Sequence, residues 1–144
     1  LSLVPHKKIL DLAMVYYCIL GEIEDGNATA LIYNSNIKNW HIKEDELYRT
    51  ADSNTPKLLP VKIYEISELI KYVDTAEGRY SLDDPWCSNL YVLTNKSRIN
   101  GAAGIMYEGV LKKLADKLES DMYILPSSIH EVIILTNSTM FNKE

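Results

Sequence analysis

A chain of 144 residues is long enough to bury a core of its own without disulfide or metal staples. Its composition, 47% hydrophobic and 24% charged, excludes the disordered and fibrous classes. A net charge of −5 disfavours general roles on nucleic acid or anionic membranes, and no apolar run is long enough to span a bilayer; Asp11 interrupts the nearest, residues 9–20.

Pro5 biases Val4 toward extended geometry, so Val4-Pro5-His6 reads as an entry segment. Residues 12–20 form a dense apolar strand containing Tyr16, Tyr17 and Cys18, with Cys18 expected as a buried small hydrophobe. Residues 22–27 make a turn on Asp25-Gly26, and residues 28–33 are the returning strand. Residues 34–39 read as a polar connection. Glu44, Asp45 and Glu46 suit the positive end of a helix, with Leu47, Tyr48 and Ala51 on its apolar side and Asn54-Thr55-Pro56 as its end.

In residues 60–73, Val61 and Ile63 alternate like a strand, while Ile63, Ile66, Ile70 and Val73 recur at helical spacing. The reading is extended chain first, then a short helix over 68–73 capped by Ser67. Residues 74–89 are a long acidic loop, a solvated excursion pinned by Trp86. The two cysteines, Cys18 and Cys87, make no disulfide framework and point to a reducing compartment. The chain begins at Leu1 with no signal-like segment, and it reads as the C-terminal part of a longer protein.

Residues 90–94 and 102–107 form a predicted second hairpin around a turn at 95–101. A helix over 109–120 follows, with Val110, Leu111, Leu114, Ala115 and Leu118 on one face. The last unit is MYILPSSIHEVIIL: apolar runs at 122–125 and 132–135 flank Pro126, Ser127, Ser128, His130 and Glu131. Both runs read as strands inside the sheet, joined by a hairpin connection of roughly 4–6 residues. Residues 137–144 read as a frayed tail. The order β-β-α-α-β-β-α-β-β predicts an α+β fold: one domain over 1–144, with a largely antiparallel sheet of about six strands and helices on one face.

Ser127, Ser128, His130 and Glu131 are the candidate catalytic set, with His6 as a residue the fold could bring in. A serine nucleophile needs a base within reach and a third group orienting that base. In extended chain, however, His130 and Glu131 point to opposite faces. A turn satisfied by its own hydroxyls is the plainer reading. His6, His41 and His130 lack metal-ligand spacing, and no phosphate- or dinucleotide-binding glycine motif occurs, so no metal and no cofactor is expected.

The segments VPHKKILDLAMVYY, EDELYRTADSNTP, LYVLTNKSRINGAAGIMY and YILPSSIHEVIIL, in that order, resemble a bacterial family of unknown function common in Firmicutes. Lys43 stands where that pattern has a threonine before the acidic helix start. The resemblance implies a cytoplasmic protein and carries no activity, cofactor or site residue. The expected role is a non-catalytic binding or interaction module with a protein or small-molecule partner. The alternative is a small hydrolase or transferase using Ser127, Ser128 and His130.

Overall fold

The computed structural model describes residues 1–23, 26–70 and 89–137. The chain divides into two compact units, Leu1–Leu58 and Leu59–Glu144. The fold is α+β, and its sheets are antiparallel throughout. The described residues hold eight strands in three sheets, where the sequence suggested about six in one.

The first unit opens with a hairpin that the sequence reading missed: β1 (His6–Ile9) pairs with β2 (Leu12–Val15). Its turn places Leu10 at φ 55° and almost wholly in solvent. A leucine there gives no turn signal, because glycine, asparagine and aspartate are the residues that usually adopt such backbone. The expected single strand over 12–20 is broken at Tyr16. That residue is buried and accepts the Ile32 amide, separating β2 from β3 (Tyr17–Ile23). β3 pairs with β4 (Gly26–Leu31), as predicted, with an irregularity between Ile19 and Gly21. Cys18 lies in β3 but is exposed, not buried as expected.

The polar stretch read as a connection is a helix, α1 (Asn34–Trp40). Asn36 Oδ1 accepts the Tyr33 amide at its start, and His41 ends it in left-handed conformation. In α2 (Glu44–Leu58) the acidic first turn is as read, and Leu47, Tyr48 and Ala51 pack on Tyr16 and Ile32. Glu46 accepts the Lys43 amide at 2.9 Å, half of a capping box, so the helix starts well without a hydroxyl cap. Pro56 does not end α2. It sits in the last turn, where its missing amide forfeits one helical bond and the helix stops two residues on.

The second unit is a four-stranded sheet of order β5-β6-β8-β7, built from β5 (Val61–Glu65), β6 (Leu90–Asn95), β7 (Met122–Pro126) and β8 (Val132–Thr136). The strand-then-helix reading of residues 60–70 holds, although α3 (Ile66–Ile70) starts one residue before Ser67. Residues 71–88, which include most of the acidic loop and Cys87, lie outside the described residues, as does 138–144. Leu93 and Ile134 are fully buried on one face of the sheet, under α4 (Val110–Leu118). Burying each such side chain contributes about 1.5–3 kcal/mol.

Residues 102–107 are not a strand. Gly101–Met106 is a short 3-10 helix lying against β6. A Cβ on Gly101 would press on Thr94 Oγ1, the His130 carbonyl and the Asn95 amide, and one on Gly104 would press on Val61 and Leu93. Small residues let this backbone lie directly on the sheet. β8 runs between two neighbours, as expected, but β7 is at the rim. Tyr123 and Leu125 are exposed there, on the sheet face away from Leu93.

Candidate functional site

β7 and β8 part at the pair Pro126 and Val132, and residues 127–131 bridge them. The backbone amides of His130 and Glu131 donate to Ser128 Oγ at 2.9 and 3.3 Å. That hydroxyl in turn donates to Glu131 Oε1 at 2.8 Å, and Ser127 Oγ reaches the same oxygen at 3.4 Å. The Ser128 amide donates to the Glu131 carbonyl, closing the turn. Short hydroxyl side chains followed by a carboxylate fold this way locally because each can replace a strand-ladder bond.

A second loop clamps the corner. It is built on Asn95, which is 1% exposed at the end of β6. Asn95 Nδ2 donates to the Ile99 carbonyl at 2.7 Å, while Oδ1 accepts the Ser97 hydroxyl at 2.8 Å and the Ile99 amide at 3.4 Å. The loop meets the corner through four partners. Thr94 Oγ1 donates to the His130 carbonyl at 2.7 Å, and the Ala102 amide donates to the Ile129 carbonyl. The Asn100 amide donates to His130 Nδ1 at 3.1 Å, and Gly101 leaves no space between them. An Nδ1 that accepts places the ring proton of the neutral imidazole on Nε2.

The structure therefore brings Ser127, Ser128, His130 and Glu131 into one turn, but the hydroxyls face Glu131 and the imidazole nitrogen faces Asn100. His6 belongs to the other unit, where its amide donates to Glu44 Oε1 and its Nδ1 meets the Val4 carbonyl. His41 contacts the Asn39 carbonyl in that unit.

Beside the corner lies a half-open recess of about 190 Å³, lined by Tyr64, Val92, Thr94, Arg98 and Glu131. The strand order explains its plan. Tyr64 on β5 and Val92 on β6 are paired, and Val92 also pairs with Ile133 on β8, so these side chains share the sheet face away from Leu93. Arg98 sits at φ 57° and its guanidinium lies 5.8 Å from the centre of the Tyr64 ring. Positive charge over an aromatic face is a favourable contact. Sequence reading nominated only Glu131 among these residues. Tyr64, Val92, Thr94 and Arg98 come together through pairings between strands remote in sequence, which no local motif announces.

Among the described residues, no helix is long and apolar enough to cross a membrane. No three His, Cys, Asp or Glu side chains gather there as a metal-binding set. No curated protein and no solved structure matches the chain. A family model matches residues 1–144, and the chain therefore belongs to DUF5688, a family of unknown function.

Proposed function

We propose that this chain is a non-catalytic binding module of the bacterial cytoplasm, and that it binds a small molecule or peptide group in the recess beside the 127–131 corner. The observation that carries the reading is the state of Ser128 Oγ. It donates once, to Glu131, and accepts twice, from backbone amides, so both of its lone pairs are engaged. A nucleophile needs a free lone pair and a base positioned to take its proton. The same bonds make the corner a rigid wall for the recess, as recognition requires. An exposed free thiol at Cys18 fits a reducing compartment.

The test is a fragment screen by two-dimensional NMR on the full chain, run beside a panel of ester and amide substrates. The expected result is saturable shifts confined to Tyr64, Val92, Thr94, Arg98 and Glu131, with no turnover. Hydrolysis that disappears in Ser128→Ala would instead establish the hydrolase, and ligand shifts mapping elsewhere would remove the recess from the proposal.

A further inference from the structure

The recess holds a separated pair of opposite charges. Arg98 and Glu131 both line it, yet among the described residues no carboxylate lies within ion-pair distance of Arg98. Strand order places them on different sides. Arg98 leans over Tyr64 of β5, Glu131 leads into β8, and Val92 and Thr94 of the intervening β6 form the floor. Two flexible ions on a surface ordinarily find each other or the solvent. Here Glu131 is held by the serine hydroxyls, while Arg98 is an exposed side chain that leans toward the Tyr64 ring.

Glu131 is tied by the hydroxyls of Ser127 and Ser128 through one carboxylate oxygen, and by its own amide to Ser128 Oγ. Its other carboxylate oxygen, Oε2, has no hydrogen-bond partner among the described residues. Arg98 projects from a loop in left-handed conformation, which the buried Asn95 side chain organises through Ser97 and Ile99. Its guanidinium rests near an aromatic ring rather than on an acid. The guanidinium offers a planar fork that matches a carboxylate, and a fixed carboxylate offers acceptors to an ammonium group.

Volume narrows the choice. The recess is about 190 Å³ and half-open to solvent. That is below the roughly 300–1,000 Å³ of drug-sized pockets and suits a group the size of one amino acid. The lining between the two charges is Val92, the Thr94 side chain and the Tyr64 ring, so the occupant has an apolar body.

We infer that the recess spanned by Arg98 and Glu131 recognises a zwitterionic, amino-acid-like ligand with an apolar side group. Its carboxylate lies on Arg98, its ammonium on Glu131, and its side group over Val92 and Tyr64. This rests on the binding reading above and specifies its ligand.

The test uses three probes on the full chain, followed by two-dimensional NMR: leucine, N-acetylleucine, which lacks the ammonium, and leucine amide, which lacks the carboxylate. Leucine is expected to give saturable shifts at the recess, and each truncated probe to bind about tenfold or more weakly, since each loses a charge-assisted contact. Arg98→Gln should remove the preference for leucine over leucine amide. Glu131→Gln keeps an oxygen for the serine hydroxyls and should remove the preference for leucine over N-acetylleucine. Well-dispersed spectra of both variants show that they fold. Equal affinity for all three probes, or no saturable shift with leucine, overturns the zwitterion. If an unrelated fragment still shifts the same five residues, the binding module stands and only its ligand class falls. If nothing binds there at all, both fall.

Discussion

Asn95 is the residue on which the second wall of the recess depends, although it does not line the recess itself. Its amide satisfies three groups in the loop that presents Arg98. Asn95→Ala leaves the Ile99 amide and carbonyl unpaired in a part-buried setting, at a cost of about 1–3 kcal/mol. We expect this variant to lower the unfolding free energy by that amount, read by urea titration, and to weaken recess ligands about as much as Arg98→Gln does. Retained affinity in a destabilised protein would show that Arg98 is positioned by something else. At this scale the sequence was legible where chemistry is local. Pro126, Ser127 and Ser128 announced a turn, and their hydroxyls do serve it. Arg98 was unreadable, because its environment is a tyrosine on a strand more than thirty positions earlier.

Two elements show how propensity and packing divide the work. α2 carries its own start signal, and Glu46→Ala removes the acceptor of the Lys43 amide as well as a carboxylate from the positive end of the helix. The expected loss is about 0.5–2 kcal/mol, read by urea unfolding followed by circular dichroism. The 3-10 segment is the opposite case. Its sequence, GAAGIM, has apolar residues that pass for a strand, and it becomes a tight helix because Gly101 and Gly104 must touch β6 and β5. Gly101→Ala should cost about 1–3 kcal/mol, the usual penalty of forced overpacking. It should also shift the amide resonances of Thr94 and His130, since the added methyl meets backbone that cannot swing aside. An unchanged melting temperature would mean that the corner and the loop are not clamped together. Helix α4 was readable from its one-faced apolar repeat, which needs only a surface to cover, although it spans Val110–Leu118 rather than 109–120.

For the whole molecule, three tyrosines among the described residues bear on the alkaline limit. Burial pushes the phenol of Tyr16 up, aided by Glu44, Tyr48 and Asp45. Burial and then Glu65 raise Tyr91, and burial raises Tyr107. A folded-state value above the unfolded one means that the native protein holds the proton more tightly. Their contribution is therefore fully present below about pH 10 and is lost as pH rises through the raised folded values. Unfolding free energy measured against pH should be flat across neutrality with respect to these groups and fall beyond that point. Tyr107→Phe should lower stability at neutral pH, because the hydroxyl no longer donates to the Leu59 carbonyl, and should also make the alkaline fall shallower. An alkaline fall as steep as that of the parent would exclude Tyr107 from the effect. Tyr16 lies in the first unit and the other two in the second, so the limit applies to both units.

The amino-acid order alone determined the class of fold, the β3–β4 and β7–β8 hairpins, the acidic start of α2 and the apolar face of α4. Each follows from residues a few positions apart, within reach of periodicity and turn chemistry. Tertiary structure decided that β6 lies between β5 and β8 and that β7 takes the rim. It also decided that glycines turn a strand-like run into a 3-10 helix and that Arg98 and Glu131 face a common recess. Those outcomes depend on which surfaces bury one another across long stretches of chain. The free energy of that burial belongs to the packed assembly and is written in no single segment.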